Sequence, residues 1–267
     1  MPLAELNNHE MYYEVHGTGE PVVCSGGWGT YCHGAERHLP QGLTERYSVV
    51  IFDHRGLGQS GDDYDRPAST ELYADDVIAL LQHLNIERAH FLGLIGIGAC
   101  IGQVVAIKRP DMVRCLVNTG CWAQVDDFFR AQMRQWQQVH HELGFDAFQQ
   151  MVVQQAFSPD FYNAKKDRLL GPQGGWSELR DNVGTHDRLT EAGIAHDTLD
   201  RLADIKAPTL VIHNGRDFIT APRLTLPVEH GIRGAEGIML DNASHVPTAR
   251  EDREMFKDAI LDFLARH

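Results

Sequence analysis

The sequence predicts an α/β protein with a mainly parallel sheet and one helical insertion. Three observations carry that prediction. Short β-branched runs alternate with segments of helical periodicity, the rhythm of strand–helix–strand units. The first buried run, Pro-Val-Val-Cys at 21–24, stops at the glycine-rich loop Ser25-Gly26-Gly27-Trp28-Gly29. From residue 122 to 205 strand runs vanish and Gln and aromatics take over, after which the β/α rhythm returns.

Taken in order, residues 11–15 form a run before a Gly-Thr-Gly turn, and 47–52 (Tyr-Ser-Val-Val-Ile-Phe) reads as a buried strand by its β-branched content. It leads into Asp53-His54-Arg55-Gly56. Residues 72–84 carry Leu72, Val77, Leu80, Leu81 and Leu84 at helical spacing. A strand at 89–94, a helix at 99–108 ended by Pro110, and a strand at 113–118 follow. After the insertion come strands at 209–213 and 237–240 and a last amphipathic helix at 251–264.

The chain has 267 residues, 24 basic and 37 acidic, for a net charge of −13. One large domain with an inserted subdomain suits that length. The acidic balance argues against nucleic acid, which needs clustered Lys and Arg, and more weakly against an anionic membrane. The five cysteines show no CxxC spacing and read as free thiols in a reducing compartment. No signal-peptide pattern opens the chain, and no apolar run approaches the roughly 18–20 residues of a membrane span. The expectation is a cytoplasmic protein, monomer or homodimer, taking a small-molecule substrate. Gly93, Gly96 and Gly98 lack the dinucleotide-binding spacing, and the histidines lack metal-ligand spacing, so no cofactor and no metal are expected.

The segments PVVCSGGWG, FDHRGLGQSG, LGLIGIGACIGQVVAIKRP, APTLVIHNGRDFITAP and DNASHVPTARED, in that order, resemble the α/β-hydrolase fold over nearly the whole length. The insertion, with AFSPDFY and IAHDTLDRLADI, is similar to that of enol-lactone hydrolases and C–C hydrolases. The resemblance implies helices on both faces of the sheet, a core of residues 1–121 and 206–267, and a helical cap at 122–205. It implies three catalytic positions. His245, in the loop before the last helix, matches the base. Asp217, after the 209–213 strand, matches the acid that holds the imidazole tautomer. The third position is a nucleophile on a strand-to-helix elbow. Counting forward from the strand puts it at Ile95, and counting back from Pro110 puts it at Gly96, so the elbow carries a one-residue insertion. Residues 93–99 read Gly-Leu-Ile-Gly-Ile-Gly-Ala and offer no activatable heteroatom. Gly96 is preferred at the tip, because glycine tolerates the turn's strained φ/ψ.

Three readings follow. In the first, the chain is an enzyme without a covalent intermediate. His245 and Asp217 activate water or take a substrate proton, while Trp28 N–H and Ile97 N–H stabilise an oxyanion. A lactone, enol ester or β-diketone suits that chemistry, by hydrolysis or by a lyase, decarboxylase or cyclase step. In the second, the glycine elbow is similar to that of the non-enzymatic N-myc-downstream-regulated proteins, and the chain binds a ligand or partner. In the third, Cys100, inside small-X-Cys-X-small as in cysteine-dependent dienelactone hydrolases, supplies the nucleophile. Gly27, His33, Trp122, Trp136 and His196 are candidates to line the substrate pocket. His186-Asp187 is expected to be a solvated or capping pair.

Overall fold

The computed structural model describes residues 3–28 and 39–267. Eight described strands form one sheet in the order β1-β2-β4-β3-β5-β6-β7-β8. They are β1 (Leu3–Leu6), β2 (His9–His16), β3 (Glu20–Ser25), β4 (Tyr47–Phe52), β5 (Ala89–Gly93), β6 (Val113–Thr119), β7 (Thr209–Asn214) and β8 (Glu236–Leu240). The pairs β1–β2 and β2–β4 are antiparallel, and every pair from β4 across to β8 is parallel. The edge strand β1 lies outside the sequence expectation, since four residues carry too little periodicity to announce a strand.

The buried strands have two apolar faces because both sides of the sheet are covered. Val22, Cys24, Val49, Ile51, Leu92 and Val117 pack on one side with Ile260, Leu261 and Phe263 of α9 (Arg250–Arg266) and with Leu43 of α1 (Leu43–Arg46). Val23, Val50, Phe91 and Leu116 face the other side. There they meet α2 (Thr70–His83) and α3 (Ile97–Lys108) through Val77, Leu80, Ile101 and Val104. Ser69 caps α2 by accepting from Leu72 N–H. The helix α3 begins two residues before the predicted position, because the break in the backbone falls at Gly96.

Between β6 and β7 the chain makes α4 (Asp127–Leu143), α5 (Phe145–Ala156), α6 (Pro159–Leu169) and α7 (Val183–Ala195). Asp126 caps α4, which buries Phe129, Met133, Trp136 and His140 along one stripe. A short bridge, Gln124 to Asp197, joins the points where the chain leaves and re-enters the sheet layer. The α7 helix is anchored to the loop after β4. Thr185 Oγ1 and Asn182 Nδ2 donate to Gly56 O at 3.1 and 2.6 Å, and Arg188 Nε lies 2.8 Å from Asp62 Oδ2. After β7, α8 (Pro222–Gly231) lies beyond the Asp217 turn. Cys24, Cys100, Cys115 and Cys121 are free and buried. No helix among the described residues is long and apolar enough to cross a membrane.

Candidate active site

The loops at the C-terminal ends of β3, β5, β7 and β8 carry the candidate residues, where parallel α/β sheets place their sites. Asp217 follows β7, and His245 follows β8. His245 Nδ1–H donates to Asp217 Oδ2 at 2.9 Å, and both side chains are buried. Asp217 Oδ1 accepts from the N–H groups of Ile219 and Thr220 at 2.7 and 2.9 Å. Thr220 Oγ1 donates to Oδ2 at 2.9 Å. Burial by itself raises the Asp217 carboxyl, but His245 beside it and the two backbone donors outweigh burial and hold it below the ordinary aspartate value. The His245 loop is secured by Asn214 Nδ2, which donates to His245 O at 3.1 Å, and by Val246 N–H, which donates to Ala156 O at 3.0 Å. No described residue bonds His245 Nε2, which leaves that nitrogen for a reacting group.

The elbow between β5 and α3 is Leu94-Ile95-Gly96. Gly96 is the N-cap of α3 with φ 82° and ψ −128°, and Ile95 before it also has positive φ, 50°. These are the two positions between which the sequence counts disagreed, and both have positive φ. A β-branched residue at positive φ is strained, and here Thr119 holds it: Ile95 N–H donates to Thr119 Oγ1 at 2.8 Å. Gly96 N–H is shared between Thr119 O and Gly120 O. A Cβ on Gly96 would meet Trp122 at 3.9 Å, an ordinary contact, so the tip has room for a side chain that the sequence omits. A Cβ on Gly120 would stand 2.9 Å from Thr220 Oγ1 and 3.4 Å from Gly96 N. The Gly120 backbone therefore sits between the elbow and the Asp217 turn.

The loop after β3 lies against the first turn of α3. A Cβ on Gly98 would overlap Ser25 O and Gly26 O, at 2.3 and 2.4 Å, and one on Gly27 would overlap Ile95 O at 2.3 Å. Only glycines allow this approach. Neither Trp28 N–H nor Ile97 N–H donates a hydrogen bond to a described residue. Ile97 N–H is one of the unpaired donors of a helix N-terminus. The loop is also pinned by His54, whose Nε2–H donates to Gly26 O at 3.0 Å. Burial lowers the His54 pKa, against the Gly26 carbonyl, which raises it.

The alpha/beta hydrolase fold family model matches residues 20–247. The chain belongs to the alpha/beta hydrolase fold family. A protein of Azorhizobium caulinodans named "Putative carbamate hydrolase RutD" is 31% identical over 98% of this chain and 98% of its own. A protein of the same name in Rhizobium rhizogenes is 26% identical over 95% and 97%. Among solved structures, the enol-lactonase from Burkholderia xenovorans LB400 superposes with a TM-score of 0.86 at 24% identity, covering 99% of this chain and 100% of that one. MGS-M2, an alpha/beta hydrolase enzyme from a Medee basin deep-sea metagenome library, gives 0.88 at 23% identity over 99% and 97%.

The remaining candidates sort differently within this alpha/beta hydrolase. Trp122 covers the elbow and donates its indole N–H to Gly193 O at 3.2 Å. Trp136 stands edge-on to Trp28, with centroids 5.9 Å apart. A Cβ on Gly193 of α7 would touch Trp28 at 3.0 Å and Trp122 at 3.4 Å, so the insertion closes directly over both rings. His196 does not fill the pocket role: it is a core histidine. Its Nδ1 pairs with Thr70 Oγ1 at 2.9 Å and its Nε2 faces Gln103 Oε1 and Thr198 Oγ1 at 3.4 and 3.3 Å. Burial lowers its pKa to about 4. Cys100 also belongs to the core. Its Sγ donates to Trp122 O at 3.4 Å, and burial pushes the thiol up, away from the thiolate that catalysis needs. His33 lies outside the described residues. His186, expected in a solvated or capping pair, is buried, because α7 turns it inward against His140 of α4. Thr220 and His54 escaped sequence reasoning. The former could have been found by its place three residues after Asp217, in reach of a side-chain turn. Among the described residues no cluster of three or more His, Cys, Asp or Glu could hold a metal ion.

Proposed function

We propose that this chain is a hydrolase that works without a covalent intermediate on a small activated carbonyl compound. The observation that carries the reading is the buried Asp217–His245 hydrogen bond of 2.9 Å kept beside an elbow whose tip is glycine. A protein freed from catalysis has no physical need to bury a charged carboxylate under an imidazole. His245 Nε2 removes a proton from a water molecule, and the oxygen adds to the carbonyl carbon. The carbonyl electrons move onto oxygen, facing Trp28 N–H and Ile97 N–H. The tetrahedral species then expels its leaving group, which takes the proton back from His245. Asp217 keeps its charge throughout and stabilises the imidazolium. The helical insertion acts as a cap that excludes bulk water.

General base catalysis contributes about 10²–10⁴-fold and an oxyanion site about 10²–10³-fold. Together these suffice for an activated ester, lactone or carbamate and fall short for a plain amide. The names of the relatives, carbamate hydrolase and enol-lactonase, lie within that class. The test is steady-state turnover on a panel of lactones, enol esters and carbamates, with wild type and His245→Ala. Activity that disappears with His245, and no labelling of the wild type by a fluorophosphonate, supports the reading. Turnover untouched by the substitution, or no turnover on any panel member, sinks it. An enolate-forming lyase step uses the same base, and product analysis separates it from hydrolysis.

A further inference from the structure

One side chain of the helical insertion plugs into a buried ionic cluster of the core. Arg188 of α7 stands against Asp62 in the loop after β4. Its Nε is 2.8 Å from Oδ2, and Nη2 donates to Oδ1 at 3.5 Å. The Nε contact is a close approach of charges, since its hydrogen is not aligned on Oδ2. Nη1 donates to Arg66 O at 2.9 Å, and the guanidinium lies over the Tyr64 ring, 5.4 Å from its centroid. The Asp62 side chain is 1% exposed and that of Arg188 15%.

Asp62 depends on that guanidinium. Among the described residues its other cationic neighbour is Arg55, whose Nη1 stands 3.5 Å away. Arg55 is already committed. Its Nε and Nη2 donate to the two Asp76 oxygens at 2.5 and 2.9 Å, Nη2 also reaches Asn7 O at 2.7 Å, and Nη1 stands 3.4 Å from Asp63. Arg66 pairs with Asp63. Withdrawing Arg188 therefore strands Asp62, and a buried ion pair that loses one partner leaves the other charge uncompensated.

The same helix covers the site. His186 of α7 stands edge-on to Trp28, with ring centroids 6.1 Å apart, and a Cβ on Gly193 would touch Trp28 at 3.0 Å and Trp122 at 3.4 Å. Gly193 O accepts the Trp122 indole N–H, and Trp122 is what a Cβ on Gly96 would meet. Direct contacts thus run from Asp62 through Arg188 and α7 to the rings over the elbow. Asn182 and Thr185 also hold α7, by bonds to Gly56 O. Those are neutral bonds that water replaces at little cost, so the ion pair is the part of the anchorage that commits the helix.

We propose that Arg188 is a positioning residue: clamped by Asp62, it holds α7 down over Trp28 and Trp122, and release of this ion pair opens the elbow to a substrate. The inference goes beyond the hydrolase reading, because it concerns access to the elbow whichever reaction follows there.

The test reads exposure of the indoles, not turnover, so its failure and the failure of the hydrolase reading are told apart. In Arg188→Ala, quenching of tryptophan fluorescence by acrylamide should become about twofold steeper with circular dichroism unchanged. Millimolar guanidinium, which matches the group removed, should restore the wild-type slope, and ammonium at the same concentration should not. Asp62→Asn should steepen the slope alike, without a guanidinium rescue. A folded Arg188→Ala with the wild-type slope overturns the proposal, as does a steep slope that guanidinium leaves unchanged. The wild type decides the matter even where the variants fail to fold. There the α7 amides and the Trp122 indole N–H should exchange with deuterium in one shared opening, about tenfold faster than the amides of β5 and β6. Exchange of α7 only together with those strands, or without the Trp122 indole, overturns the proposal.

Discussion

Asp217 holds His245 through a single carboxylate oxygen. Oδ2 accepts from His245 Nδ1 at 2.9 Å, while Oδ1 is taken by the N–H groups of Ile219 and Thr220. These bonds fix the carboxylate against the imidazole. Asp217→Asn should leave the fold intact and lower turnover by about 10²–10⁴-fold, since the amide favours the wrong tautomer. Thr220→Val, which removes the 2.9 Å bond to Oδ2, should cost less than Asp217→Asn. Steady-state rates of the two variants, with circular dichroism as the folding control, check the order.

Gly96→Ser should convert the site to covalent chemistry. A Cβ there meets Trp122 at 3.9 Å, so the side chain fits. The left-handed φ of 82° costs a non-glycine residue about 1–2 kcal/mol. The variant should melt a few degrees below the wild type and should gain labelling by a fluorophosphonate, read by mass spectrometry. A folded variant that stays unlabelled would mean that His245 does not address the elbow.

Cys100→Ala should retain the full rate of any activity found. The thiol is fully buried against Trp122 O, and a high pKa keeps it protonated. The small cavity should cost about 1 kcal/mol, visible as a lower Tm. A collapse of turnover with an unchanged Tm would restore Cys100 as a nucleophile.

Acid should loosen the fold well before aspartates protonate. Burial lowers the pKa of His54, His140, His186 and His196, the last two to about 3 and about 4. The unfolded chain binds these protons near the ordinary value of 6.5, so the unfolded state holds more protons below it. Stability is therefore complete above pH 6.5 and falls as pH drops from there toward 4. Thermal melts between pH 8 and 4.5 should show Tm falling most steeply below pH 6.5. The slope should be shallower in His186→Phe, and equal slopes would remove His186 from the account.

The pairing of His245 with Asp217 was legible because each sits in a short loop after a recognisable strand, where local order constrains the answer. The empty elbow was legible for the same reason: no residue from 93 to 99 bears a reactive heteroatom. Those conclusions need only chain order and side-chain chemistry. The fates of Cys100, His186 and His196 were decided elsewhere. Cys100 is silenced by a carbonyl 22 positions away, His196 by Thr70 at a separation of 126, and His186 by His140 on a different helix. A thiol or imidazole is reactive or inert according to its desolvation and its partners. Both come from packing between distant segments, which local sequence does not encode.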